Sequence, residues 1–139
     1  MSSQPDPNEK TLIVIKPDAV ARGLVGEIIA RFEKRGMKIV QLKAQHMTKT
    51  MAEDFYSVHR ERPFFSELSS FFSSSMTVGV ILQGMDAVAM VRRMVGATKS
   101  WESAPGTIRG DFGMFLGENV IHASDSKESF ERESKAYFS

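Results

Sequence analysis

Thr11-Leu12-Ile13-Val14-Ile15-Lys16-Pro17 is a near-continuous apolar and β-branched run closed by a proline. A run without polar alternation reads as a strand buried on both faces. Pro17 ends it, because proline offers no N–H to continue a ladder. The two-residue period puts Lys16 on the face of Leu12 and Val14, with its ammonium emerging at the strand's end. That ammonium is either a point charge for a ligand or a strand-terminal lysine reaching for water.

Working outward, residues 1–10, with Pro5 and Pro7, read as a flexible tail ahead of a single domain over residues 11–139. Val25, Ile28, Ile29 and Phe32 repeat at helical spacing, and Gly36 can end that helix. From Lys38 to Met47 the chain alternates, with Val40, Leu42, Ala44 and His46 on one face, which predicts a half-buried strand with a structural His46. Thr50 and Glu53 have capping-box spacing for a short helix through Tyr56. Pro63 suits the first position of a helix carrying Phe64, Phe65, Leu68, Phe71 and Phe72, more phenylalanine than one core stripe needs, so at least one is expected to face a cleft. Met76 to Leu82 is a third strand. Asp86 can cap a helix bearing Val91 and Val95 and stopped by Gly96. Thr98 to Gly110 has no periodicity and predicts a loop of about a dozen residues, a length usual for functional or disordered loops. Asn119 to His122 is a fourth strand, and Asp125 or Ser126 caps a closing helix whose inner side carries Phe130, Tyr137 and Phe138. This order suits an α+β, ferredoxin-like sandwich: a four-stranded antiparallel sheet with helices on one face.

The 139 residues suffice for one packed core without staples. No cysteine is present, which excludes a disulfide framework and thiolate metal sites. With 18 basic against 17 acidic residues, no global field draws the chain to nucleic acid or a membrane. No apolar run approaches the roughly 20 residues of a membrane span, and the first residues lack the apolar core of a secretory signal. The expectation is a soluble, cytoplasmic protein. Gly-x-x-x-x-Gly-Lys-Ser/Thr, Gly-x-Gly-x-x-Gly and Gly-x-Ser-x-Gly are missing, as are paired histidines, so P-loop, dinucleotide, nucleophile-elbow and transition-metal chemistries lack their signatures.

One histidine stands in a suggestive frame. His122 ends an apolar run just before a helix start, and Arg109 lies upstream in a glycine-flanked turn. Imidazole is a good nucleophile when neutral, as an unperturbed histidine largely is at physiological pH. It needs a group to orient the ring, and Glu133, at the flank of the closing helix's apolar stripe, is available. A phosphoryl electrophile would need its charge neutralised, best by arginine. Arg92, Arg109, Lys16 and the Thr98 hydroxyl are candidates. Each also has a plainer reading: Arg92 on its helix dipole, Thr98 decorating a loop, His122 as a buried, hydrogen-bonded strand histidine.

Taken together, Thr11–Val20 (with Lys16-Pro17-Asp18), Arg22-Gly23-Leu24-Val25-Gly26, Arg62-Pro63-Phe64-Phe65, Pro105-Gly106-Thr107-Ile108-Arg109-Gly110-Asp111-Phe112 and Asn119-Val120-Ile121-His122-Ala123-Ser124 closely resemble the nucleoside diphosphate kinase family, in order and at family spacing from about Thr11 to Glu133. The resemblance implies a ping-pong enzyme in which a nucleoside triphosphate gives its γ-phosphoryl to His122 and a nucleoside diphosphate removes it, with Mg2+ held mainly by the nucleotide phosphates. It also implies roles. Lys16 would contact ribose and the transferring phosphate, and Asn119 the ribose. Arg92, Thr98 and Arg109 would bind phosphates, and Phe64 would stack on the base, with Leu116 opposite and Leu68 nearby. Tyr56 would support Lys16 and His122, Ser124 would hydrogen-bond at the centre, and Glu133 would orient the imidazole. No protein metal ligand is implied, and the partners are nucleotides and other copies of the chain, as a tetramer or hexamer built from dimers.

Three positions depart from the family pattern. Ala123 stands where the family usually has glycine, costly only if that backbone needs a positive φ. Ala97 replaces a commonly acidic residue. Ser100 replaces a frequent proline in a loop used for subunit contacts and, with the chain's end at Ser139, leaves tetramer and hexamer both open. From another class, an RNA-binding module shares this architecture but needs a basic, aromatic strand motif that is absent. An inactive assembly protein is a third reading, opposed by the intact His122, Glu133, Lys16 and Arg109.

Overall fold

The fold is that of a computed structural model, which describes residues 5–139. The opening run forms strand β1 (Glu9–Ile15), starting two residues earlier than its apolar composition suggests because Glu9 and Lys10 pair with Gly84 and Gln83 of β3 (Met76–Gly84). Of the expected tail, residues 1–4 lie outside the described residues. β2 (Lys38–His46) and β4 (Ile121–Ala123) complete an antiparallel sheet in the order β2-β3-β1-β4. This is the ferredoxin-like arrangement.

Helices cover both faces of the sheet, not one. Ile13 and Ile15 of β1 join Val78, Val80 and Leu82 against Ile28 and Phe32 of α2 (Val25–Lys34) and Val91 and Val95 of α5 (Ala87–Val95). Leu12 and Val14 point the other way, into Phe55 of α3 (Lys49–Phe55), Phe72 of α4 (Phe65–Phe72) and Tyr137 of α7 (Lys127–Phe138). All four β1 side chains are fully buried, which is why the run lacks polar alternation.

Several local expectations shift. Pro17 both ends β1 and opens a short helix, α1 (Pro17–Ala21), where its missing N–H costs nothing. β2 is exposed along most of its length, with Val40 and Leu42 44% and 49% exposed and Val40 set in a bulge between Ile39 and Gln41. As the edge strand it has β3 on one side only, and the covering helices lie mainly over the centre of the sheet. His46 bonds through Nε2 to the Ser73 carbonyl, 2.7 Å away. Helix α3 is capped by Thr48, not Thr50, the Thr48 hydroxyl accepting from Met51 N. Helix α4 begins at Phe65, so Pro63 precedes it. Asp86 precedes α5 in a left-handed conformation and makes no side-chain cap; Glu9 of β1 accepts from Val88 N instead, at 2.9 Å. Ser126 caps α7 through Ser129 N.

Candidate active site

The aperiodic stretch after α5 is structured. A 3-10 turn at Ser100–Glu102 leads into helix α6 (Ile108–Phe112), capped by the Thr107 hydroxyl on Gly110 N at 3.0 Å. Arg109 is therefore helical rather than in a glycine turn. Its Nη2 donates to the Ile121 carbonyl at 2.7 Å and its Nη1 to that of Ala97 at 3.4 Å, while its buried Nε has no partner among the described residues. From α5, Arg92 Nη1 donates to the Ala123 carbonyl at 3.1 Å. Two guanidinium groups thus hold the backbone immediately before and after His122.

His122 pairs with Val14 in the sheet. Its Nε2 lies 2.8 Å from Glu133 Oε1, and the same oxygen accepts from Ser124 Oγ at 2.6 Å. Burial works to raise the Glu133 carboxyl, but His122, the Ser124 hydroxyl and Arg132 together outweigh it and hold the group below the usual carboxylate range. An ionised carboxylate accepts only, so the shared hydrogen sits on Nε2 and Nδ1 carries the free lone pair. Phe55, Tyr56 and Phe72 wall the ring, with centroids at 5.0, 5.9 and 6.5 Å.

Lys16 directly follows β1 and is 5% exposed, with Nζ donating to Asn119 Oδ1 at 2.7 Å and to the Gly117 carbonyl at 3.2 Å. Burial first, then the nearby Arg109 charge, lowers its pKa to about 7 against the support of Asp18. Burial, with a contribution from Arg92, likewise lowers Arg109, to about 10. Cations held this far out of water gain more from an arriving anion than from bulk solvent. Asn119 Nδ2 donates to the Thr98 carbonyl at 3.2 Å, leaving the exposed Thr98 hydroxyl free of that bond.

The expected residues do not all meet equally. Tyr56 lends its ring to His122, but its buried hydroxyl has no hydrogen-bond partner among the described residues and bonds neither Lys16 nor His122. Burial pushes that phenol well above its usual range, so it stays neutral. Phe64, 45% exposed, stands clear of the core, with the His59 ring 5.6 Å away. Leu116 is also exposed, whereas Leu68 is half-buried against the α3/α4/α7 core. Ala123 lies in β4 with no positive φ, so alanine is unstrained there. The strain falls on Val120 instead, at φ 67°, where Ile121 N bonds the Asn119 carbonyl at 2.9 Å in a tight γ-turn. A β-branched residue there costs on the order of 1–3 kcal/mol, a cost that residue type alone does not signal. Asp18, whose Oδ2 accepts from Val120 N at 3.1 Å, and His59 beside Phe64 were not among the sequence candidates. Among the described residues no helix is long and apolar enough to cross a membrane, and no three His, Asp or Glu side chains are grouped to hold a metal.

The family profile described as nucleoside diphosphate kinase matches residues 9–139. The chain is 55% identical over 133 residues to a nucleoside diphosphate kinase of Hyperthermus butylicus, covering 96% of this chain and 94% of that one. It is 51% identical over 138 residues to one of Dictyostelium discoideum named as cytosolic, covering 99% and 89%. The crystal structure of the Aquifex aeolicus nucleoside diphosphate kinase superposes with a TM-score of 0.92 at 47% identity, over 95% of this chain and 96% of that one. That of the Halobacterium salinarum enzyme in complex with CDP superposes at 0.90 and 41%, over 94% and 88%. With the family profile spanning residues 9–139, the fold shared with solved enzymes and relatives about half identical over nearly their whole length, the chain belongs to the nucleoside diphosphate kinase family and is an enzyme of that kind.

Proposed function

We propose that the chain moves a γ-phosphoryl group between nucleotides in two half-reactions through a phosphohistidine at His122. The observation that carries this is the hydrogen bond from His122 Nε2 to Glu133, which leaves Nδ1 as the free nucleophile between two arginine-held carbonyls. In the first half-reaction the Nδ1 lone pair attacks the γ-phosphorus, the bond from phosphorus to the bridging oxygen breaks, and the nucleoside diphosphate leaves with that electron pair. The ring becomes cationic and keeps its Nε2 proton against the Glu133 carboxylate. In the second, a terminal phosphate oxygen of another diphosphate attacks the same phosphorus and the ring returns neutral. Positioning and charge neutralisation do most of this work.

Lys16, Arg92 and Arg109 supply the cations for the phosphates, with the Thr98 hydroxyl as a further donor. Lys16 and Asn119 take the ribose side, and Phe64 with Leu116 the base faces, near Leu68. Ser124 shares Glu133 and holds it toward the ring, while Tyr56 walls the ring. Stacking without base-edge contacts fits broad nucleotide tolerance, since every base has a π-face. The carboxylates near the centre are already engaged, Glu133 by His122 and Ser124 and Asp18 by Val120 N, and the charged side chains left for phosphate are the cations Lys16, Arg92 and Arg109. This donor set fits a magnesium ion that arrives on the nucleotide rather than one caged by protein. Bound that way, magnesium supplies further neutralisation of the phosphate charge.

We place the working protein in the cytoplasm, as the name of the Dictyostelium relative suggests. We also infer a homo-oligomer, a tetramer or hexamer built from dimers, supported by the exposed Ile39, Val40 and Leu42 on the unpaired β2 edge and by the exposed Trp101, Met114 and Phe115. An RNA-binding role finds no support in a sheet whose central strands are covered on both faces. Incubation with magnesium and ATP should give an acid-labile, alkali-stable phosphate on the protein, and His122→Ala should abolish both the label and its passage to a diphosphate. Normal labelling of that variant would overturn the proposal.

A further inference from the structure

We propose that Asp18 is a positioning residue for the phosphoryl transfer, clamping the strained turn ahead of His122 and sustaining the charge of Lys16. The inference rests on the phosphohistidine reading above. Lys16-Pro17-Asp18 grips both backbone groups of Val120: Lys16 N donates to the Val120 carbonyl at 2.9 Å, and Asp18 Oδ2 accepts from Val120 N at 3.1 Å. Val120 is fully buried, so without Asp18 its N–H would have neither water nor a protein acceptor. A positive φ on a β-branched residue persists only where its surroundings over-determine it, and this bracket does so. On either side of the turn stand Asn119, which binds the Lys16 ammonium, and Ile121, whose carbonyl binds Arg109 just before His122. Relaxing Val120 would therefore move the ribose-side contact, an arginine anchor and the nucleophile together.

The second carboxylate oxygen, Oδ1, is buried with no hydrogen-bond partner among the described residues. A capping role needs one oxygen; the carboxylate's charge also acts on Lys16, two residues back in the chain. The charged and titratable groups facing this corner are Arg109 from α6 and Arg92 beside it, Tyr56 at the end of α3, His122 of β4, Glu133 of α7, and Asp18 itself. Of these, Asp18 is the carboxylate that favours the charged form of Lys16, against Arg109.

Two substitutions separate the clamp from the charge. Asp18→Asn retains an acceptor for Val120 N but no charge. It should keep Val120 amide protection and move the basic limb of kcat/KM to lower pH by about one unit, the scale of removing a neighbouring opposite charge. Asp18→Ala removes both. It should lose that protection and lower kcat by about 10- to 100-fold, the scale of stripping a charged acceptor from a buried N–H. Circular dichroism melts establish that the variants fold; should Asp18→Ala fail to, the pH limb of Asp18→Asn decides. A folded Asp18→Ala with parental kcat, or an Asp18→Asn limb that does not move, overturns the proposal. The parent is assayed alongside: no label on the parent removes the phosphohistidine reading, whereas an active parent with unaltered variants removes only the role of Asp18.

Discussion

Replacing Glu133 by glutamine tests the centre of the mechanism with the least change of shape. The wild-type Oε1 accepts from His122 Nε2 at 2.8 Å and from Ser124 Oγ at 2.6 Å, with Arg132 Nη2 3.5 Å from Oε2. The side chain is buried, so solvent does not replace what is lost. Glutamine presents one acceptor oxygen and one NH2 group where the carboxylate presents acceptors only. Where the NH2 turns to the ring, Nε2 must accept, and the proton moves to Nδ1, the atom that has to be free. Where the oxygen turns to the ring, the tautomer survives, but the charge that steadies the cationic phosphohistidine is gone. A hydrogen bond to a charged group is worth about 1.5–3 kcal/mol, so the phosphorylation rate should fall roughly 10- to 150-fold. Single-turnover labelling by rapid quench isolates that step, and nucleotide affinity measured separately should barely move, since no nucleotide-facing side chain depends on Glu133. A parental phosphorylation rate, or a loss confined to affinity, would refute the tautomer reasoning.

Three further perturbations probe the base, phosphate and core contacts in turn. Phe64→Ala should weaken nucleotide binding by about 1–3 kcal/mol, the value of an aromatic stacking platform, with no effect on the melting profile because Phe64 is half exposed; calorimetric titration checks both, and unchanged affinity would count against the platform. Lys16 has a pKa of about 7 in the free protein, and phosphate would raise it. Nucleotide binding should thus take up a proton above that pH and none well below it, which is visible as a buffer-dependent binding enthalpy; uptake absent at alkaline pH would sink this. Gly79→Ala should destabilise the fold by about 1–3 kcal/mol through overpacking. A Cβ there would overlap the Tyr137 ring, 2.7 Å from Cδ1, and that ring is pinned by its hydroxyl to Thr77 Oγ1 at 2.9 Å and the Lys43 carbonyl at 3.1 Å. An unchanged urea midpoint would show that the ring can retreat.

Local patterning was legible wherever an element was long enough to repeat. β1, α2, β3, α5 and α7 follow from periodicity, since each commits several side chains to one face or, for β1, to two. Helices α1 and α6 run only five residues each, too short for a 3.6-residue period to show, and so Arg109 reads from sequence as a turn residue. Caps were ambiguous for a related reason: Thr48 and Thr50 are equally good by type, and Asp86 is a better cap by type than the distant Glu9 that performs the task. β2 alternates like a half-buried strand, but alternation does not tell whether anything covers its apolar side.

The chain alone determines its chemical inventory: a histidine at the end of an apolar run, no cysteine, a carboxylate eleven residues later, scattered cations, and a β-branched run that must be buried on both sides. Tertiary structure decided what those groups do. The antiparallel pairing of β1 with β4 brings Lys16 to Asn119 across 103 residues of sequence, and burial makes that lysine a weakly held cation rather than a surface charge. The same closure forces Val120 into its left-handed turn, because the backbone must pass between Lys16 and Asp18 before it can present His122. Pattern along a chain encodes which faces are apolar; which polar groups lose their water, and to whom they turn, depends on contacts that only folding creates.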